Sequence, residues 1–368
     1  MKKILVVGMT DNYGGIESVI MSYYRAIDKT RFQCVFLANT PVMAYEDEIA
    51  QLGGIVIHVP ARHQHPVEFY RSVHTFFRNH AHEYSAIWFN CCSLANISYL
   101  SFAKRYGIAK RIVHCHNAQN GEGKLRGVLH ALNRRRVRGV ATDFWSCSNE
   151  ASVWFYGDDF KNLTGYKFIP NTIDPNKFAY SSTTRRETRH ELGVADTSIV
   201  IGNVARLEPQ KNPAGLVRIF SELHKVDPRY QLFLIGKGEL EEGIRSYVGE
   251  HGLRDDVHFL GIRHDIADLY QAMDMFMLPS LFEGFPVTLL EAQDNGLPTV
   301  LSSTITEEID INDNLLRIDI KDAPRKIARS INAWYKLLPA RRVIDNRVPE
   351  SKYSISMQIR DFEASLSE

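Results

Sequence analysis

Short apolar runs alternate with stretches of helical spacing along the whole chain. In the first half, runs at Lys3–Val7, Cys34–Ala38, Ile55–Val59, Ala86–Asn90, Arg111–His114, Phe144–Cys147 and Lys167–Ile169 read as strands. Helical patterns such as Glu17–Ile27 and Pro66–His80 lie between them. A second series opens at Ile199–Val204 and continues with Gln231–Ile235, Val257–Leu260, Met275–Leu278 and Pro298–Leu301. This alternation predicts α/β architecture with parallel sheets. The expected form is two doubly wound, Rossmann-like domains facing one another across a cleft, with ligands at the carboxyl ends of the strands. Between the two series, Asn176–Glu191 is rich in Ser, Thr and Arg and poor in apolar residues, so it reads as a linker opening into a helix.

The length of 368 residues suits two domains. A hydrophobic share of 44% with 24% charged residues is that of a soluble globular protein. The net charge of +1 gives no argument for a nucleic-acid partner. The apolar start at Ile4–Val7 is too short for a signal peptide and reads as a first buried strand. No apolar run approaches the roughly 20 residues of a membrane span. The cysteines are Cys34, Cys91, Cys92, Cys115 and Cys147, mostly inside strand-like segments and without metal-ligand spacing. Reduced, buried thiols in a cytoplasmic protein are the simplest account.

The densest chemistry lies in Glu283-Gly284-Phe285-Pro286-Val287-Thr288-Leu289-Leu290-Glu291, where seven residues separate two carboxylates. A strand-like segment comes before it and an apolar, helix-compatible run carries it forward, with Pro286 at the expected helix start. The N-terminus of such a helix offers free N–H groups to a phosphate. Glu291, about a turn inside, can accept two hydrogen bonds from a vicinal diol, and Glu283 can meet a second hydroxylated group. After the first strand, Gly14-Gly15 suits close backbone approach to a phosphate, with a tight turn as the alternative. After the strand at Ile199–Val204, Arg206 offers a planar fork and Lys211 a compact charge for phosphate oxygens. Gly236-Lys237-Gly238 follows another strand and either walls a nucleotide pocket or makes a turn. Strand alternation sends His114 and His116 to one side, with Cys115 opposite. A third zinc ligand is not placed nearby in sequence.

Taken in order, Gly14-Gly15-Ile16-Glu17, His116-Asn117, Pro170-Asn171-Thr172-Ile173-Asp174, Ala205-Arg206-Leu207 with Lys211-Asn212, Gly236-Lys237-Gly238 and Pro279 to Pro286 with Glu291 resemble the retaining glycosyltransferases of family 4. The resemblance spans Gly14 to about Pro298 and points to members that build capsule, exopolysaccharide or O-antigen units. It implies the GT-B fold and a hexosyltransferase that needs neither metal nor cofactor. Its donor would be a nucleotide-diphosphate sugar, expected to be a UDP-sugar, and its acceptor a saccharide or a lipid-linked saccharide. It also implies a last helix, about Ser356–Leu366, that crosses back onto the first domain. The domains would then be 1–175 with about 353–368, and 176–352.

The same resemblance implies the site. Gly14 and Gly15 approach the diphosphate, Arg206 and Lys211 neutralise it, and Glu291 holds the ribose. Glu283 meets the transferred sugar, with His116 near the reacting face. Gly236, Gly238 and Ile262 line the donor, and the backbone from Phe285 through Pro286 and Val287 to Thr288 completes the cradle. An epimerase of the same fold, a Rossmann oxidoreductase and a non-catalytic scaffold that binds nucleotide sugar are the alternatives.

The acceptor side is less legible. Lys124 to Arg138 carries six Lys/Arg residues, and Leu125, Val128, Leu129 and Leu132 follow helical spacing. Two readings stay open: a helix for an anionic membrane surface, making the protein peripheral, or a core-facing helix with a solvated basic face. RNA is the poorer reading, because no aromatics interleave with these charges.

Overall fold

The computed structural model describes residues 1–117, 124–339, 341 and 344–367. They form two compact units, one of Met1–Thr172 with the C-terminal segment from Ile355, the other of Ile173–Ser354.

The first unit is a seven-stranded parallel sheet of β1 (Lys2–Val7), β2 (Phe32–Ala38), β3 (Ile55–His58), β4 (Ala86–Cys91), β5 (Lys110–Cys115), β6 (Asp143–Ser146) and β7 (Tyr166–Phe168), in the order β3-β2-β1-β4-β5-β6-β7. The order reverses beside β1, so a crevice opens there at the carboxyl edge. Central strands buried on both faces explain the continuous apolar runs: Ile4, Leu5, Ile87, Ile112 and Val113 are fully buried. The helix Ile355–Ser367 completes this unit. Phe362 stacks on Tyr23 with ring centroids 4.2 Å apart, and Glu363 accepts from the Asp28 N–H at 2.7 Å and from Arg31 at 2.6 Å. Glu368 lies outside the described residues.

The second unit holds β8 (Ile199–Val204), β9 (Tyr230–Ile235), β10 (Val257–Gly261), β11 (Met275–Leu278), β12 (Thr299–Ser302) and β13 (Leu315–Ile318), all parallel, in the order β10-β9-β8-β11-β12-β13. Its core includes Ile201, Leu232, Leu234, Met275, Met277 and Val300. The sequence reading missed β13. This edge strand has only four residues, and Arg317 interrupts its apolar run to pair with Asp310.

Asn176–Glu191 is not a loose connector. It forms the helices Pro175–Phe178 and Ser182–Glu191 within the second unit. Arg185 and Arg189 both bind the Asp274 carboxylate, at 2.5 and 3.1 Å, and Arg189 also donates to the carbonyls of Ala272, Ala195 and Ser198. The segment looks like a linker because it is anchored by the guanidinium groups of the half-buried Arg185 and the buried Arg189 as well as by apolar side chains.

Candidate active site

In the second unit, two loops at the carboxyl edge of the sheet are laced together. The Leu281 N–H donates to the Gln210 carbonyl at 2.8 Å, and the Gln210 amide donates to the Phe282 carbonyl at 3.2 Å. Asn212, in the left-handed region at φ 51°, caps the helix Pro213–Val226 through Gly215 and donates to the Pro279 carbonyl at 3.1 Å. This lacing brings Lys211 against Glu283. The ammonium lies 2.7 and 2.8 Å from the two carboxylate oxygens, and the Ser280 hydroxyl donates to one of them at 2.7 Å. The Glu283 side chain keeps only 6% of its exposure and that of Lys211 20%, so the pair is poorly screened by water. The sequence reading gave these two residues different ligands; the fold makes each the other's partner. Arg206 stays largely exposed and pairs with Glu208 at 2.6 Å.

Gly236 and Gly238 are required by close backbone approach. Gly236 has φ +132°, and a Cβ there would lie 2.1 Å from the Ala205 oxygen; at Gly238 it would lie 2.4 Å from the Leu207 oxygen. The Ala205 N–H donates to the Ile235 carbonyl and the Leu207 N–H to that of Lys237, both at 3.0 Å, so these glycines seat the Arg206 loop against the end of β9. Ile262, just past β10, is 57% exposed.

The helix Val287–Asp294 begins one residue later than expected, with Pro286 as its cap rather than its first turn. Pro286 has no N–H to contribute to a cradle, and its carbonyl accepts from Leu289 at 3.2 Å. The Phe285 side chain stacks on Tyr353 at 4.5 Å, so this residue turns its ring to packing. Val287 and Thr288 open the helix, where N–H groups have no carbonyl four residues back. Glu291 sits one turn on. The Tyr270 hydroxyl donates to its Oε2 at 2.9 Å, and burial pushes its carboxyl up to about 7. Nothing in the sequence singles out Tyr270, which reads as one more core aromatic.

In the first unit, Gly14 caps and Gly15 opens the helix Gly15–Ala26. Neither has a positive φ, and a Cβ on Gly15 would meet nothing within 4 Å. The buried Glu17 carboxylate accepts from Thr10 Oγ1 at 2.6 Å and from the Thr10 N–H at 3.1 Å, which ties down the loop ahead of this helix. His116 and His114 do share one side of the chain, ring centroids 4.1 Å apart. The Asn90 amide donates to the Trp88 carbonyl, which leaves its oxygen, 2.9 Å from His116 Nε2, to accept the ring N–H. Asn171 faces Nδ1 at 3.4 Å, and burial holds the ring down to about 4, so His116 is neutral at pH 7. Among the described residues, no three His, Cys, Asp or Glu side chains are grouped to hold a metal.

The basic helix is Lys124–Val140, beginning at a residue whose side chain lies outside the described residues. Its inward side is His130, Asn133 and Val137. Leu125, Val128, Leu129 and Leu132 point outward at 73, 57, 38 and 60% exposure, which rules out the core-facing reading of this stripe. No helix of the described residues is long and apolar enough to cross a membrane.

The model of the glycosyl transferases group 1 matches residues 184–350, the part that carries the laced loops and both glutamates. EpsF of Bacillus subtilis (strain 168), a glycosyltransferase by name, is 33% identical over 318 residues, 84% of this chain and 81% of its own. The chain belongs to the glycosyl transferases of group 1. A second relative of this glycosyltransferase is the UDP-Gal:alpha-D-GlcNAc-diphosphoundecaprenol alpha-1,3-galactosyltransferase of Escherichia coli, 36% identical over 138 residues, 37% of this chain and 36% of its own. HepE of Anabaena, solved in complex with UDP and glucose, has the same GT-B fold over the whole of both chains, with a TM-score of 0.81 at 18% identity.

Proposed function

We propose that this glycosyltransferase moves a hexose or N-acetylhexosamine from a UDP-sugar to a saccharide or lipid-linked acceptor, with retention at the anomeric carbon, in cell-surface polysaccharide synthesis. The observation that carries the reading is the Lys211–Glu283 pair, with the N-terminus of the helix Val287–Asp294 and Glu291 following in the same segment and Arg206 in the loop after β8. A nucleotide-sugar donor is further supported by the UDP-Gal in the Escherichia coli relative's name and by the UDP-glucose solved in HepE.

The chemistry follows from charge. Breaking the bond between the anomeric carbon and the phosphate oxygen leaves positive character on the sugar and negative charge on the departing diphosphate. Arg206, Lys211 and the N–H groups of Val287 and Thr288 meet that negative charge, which is the main stabilising term. The acceptor hydroxyl attacks from the face the diphosphate leaves, and its proton passes to the departing phosphate. Glu283 holds a hydroxyl of the sugar in transfer, and Glu291 the ribose diol. His116, neutral with its Nε2–H held by Asn90, acts by hydrogen bonding rather than proton transfer. Gly14 and Gly15 lie at the N-terminus of the helix Gly15–Ala26, whose N–H groups suit a phosphate. Two protein cations meet the phosphate charge, so turnover needs no metal and no cofactor.

The exposed Leu125, Val128, Leu129 and Leu132 beside Arg126, Arg135 and Arg136 favour a peripheral site on an anionic membrane, which suits a lipid-linked acceptor. A thermal-shift panel of UDP-, GDP- and ADP-sugars tests the donor, because a ligand that binds the folded state raises Tm. UDP-sugars should give the largest rise. No rise with any sugar nucleotide, or donor turnover that needs no acceptor, would remove the proposal, the second in favour of an epimerase.

A further inference from the structure

Tyr270 lies on the helix Ile266–Ala272, twenty-one residues ahead of Glu291 in sequence, and is fully buried. Its ring is held between Phe178 and Phe276, with centroids 6.0 and 5.7 Å away. The hydroxyl has one proton and two acceptors in reach: Glu291 Oε2 at 2.9 Å and the Thr288 carbonyl at 3.2 Å. The shorter contact, to an oxygen able to carry charge, takes the proton. That contact fixes Oε2 and leaves the remaining lone pairs of the carboxylate for a ligand.

We propose that Tyr270 is a positioning residue of the nucleotide site, its hydroxyl fixing Glu291 as an oriented acceptor for the ribose diol. The inference rests on the donor-site reading above. A diol donates two protons, so its receiver must be a carboxylate in a set orientation, not a carboxylic acid free to rotate. The groups that act on Glu291 are the Tyr270 hydroxyl, which favours the carboxylate, Lys177 on the helix Pro175–Phe178, which favours it too, and burial, which opposes it. Burial dominates, leaving a carboxyl near 7. Nucleotide affinity should therefore rise as pH increases through about 7. Removing the Tyr270 proton donor should move that rise to higher pH, because the charged form loses a stabilising contact.

The test is Tyr270→Phe, which keeps the packed ring, with unchanged Tm as the check on folding. In ligand-free protein carrying ¹³C-labelled glutamate, the Glu291 resonance is identified by its loss in Glu291→Gln and titrated by NMR. The midpoint should move up by about one pH unit in Tyr270→Phe. Calorimetry with UDP should then show affinity reduced roughly fivefold at pH 7 and nearly restored at pH 8.5. An unchanged Glu291 midpoint overturns the proposal, and so does an affinity deficit of the same size at both pH values, which is what lost packing alone would give. A shifted midpoint with no UDP binding by the parent protein instead overturns the nucleotide-site reading, because the Tyr270–Glu291 contact would then be present without a ligand to serve.

Discussion

Glu283 and Glu291 leave the same loop and helix with different surroundings, and this separates their roles. Glu283 is paired with the Lys211 ammonium, while Glu291 accepts from the Tyr270 hydroxyl and has a carboxyl raised by burial. Glu291→Gln should lower affinity for donor and free UDP alike, by roughly 1.5–3 kcal/mol, since the ribose contact proposed for it would be made both before and during transfer. Glu283→Gln should act on the sugar in transfer, dropping kcat roughly 10- to 100-fold. Free UDP carries no sugar for Glu283 to hold, and the substitution leaves Lys211 in place, so UDP should bind that variant at least as well as the parent. Calorimetry with UDP beside steady-state kinetics checks both. Equal loss of UDP affinity in the two variants would show the assignment to be wrong.

At the scale of elements, the helix Lys124–Val140 is the clearest case of tertiary placement deciding between two readings of one sequence. Its periodicity is the same whether the leucines face a core or solvent. Here the polar His130 and Asn133 are buried along with Val137: His130 accepts from the Leu94 N–H at 3.1 Å, and Asn133 donates to the Leu94 carbonyl at 2.8 Å. Arg134 and Arg138 are partly engaged, with the Val153 carbonyl and with Asp159, whereas Arg135 and Arg136 are exposed. Changing Arg135 and Arg136 to Ser should weaken binding to anionic vesicles roughly thirtyfold at low salt, at about 1 kcal/mol per charge, with UDP affinity unchanged. Sedimentation with phosphatidylserine vesicles measures this. Equal partitioning of variant and parent would remove the membrane role of the helix.

For the molecule as a whole, the elements proposed to meet phosphate stand at the carboxyl edges of both sheets, in the loops after β1, β8 and β11. Transfer driven by protein cations and helix N-termini should survive removal of divalent metal, keeping rates within about twofold in excess chelator. Steady-state turnover with and without chelator is the measurement. Abolished turnover that returns on adding magnesium or manganese would mean that Arg206 and Lys211 do not suffice.

Much of this protein is written locally in its sequence. Among the described residues, the period of the apolar runs marks twelve of the thirteen strands, because a buried parallel strand must be apolar on both faces. The spacing of Glu283 and Glu291 and the cations after β8 mark the candidate site, because βα loops and helix N-termini follow directly from strand ends. The sequence alone also places the family resemblance, which the relatives bear out. Partnership belongs to the tertiary structure. Lys211 and Glu283 lie 72 residues apart and meet only because β8 and β11 are neighbours in the sheet. Tyr270 reaches Glu291 through packing between two helices, and Arg189 is buried because Asp274 and backbone carbonyls surround it. Periodicity reports which way a side chain points along its own element; what it meets there depends on which distant element the fold brings across.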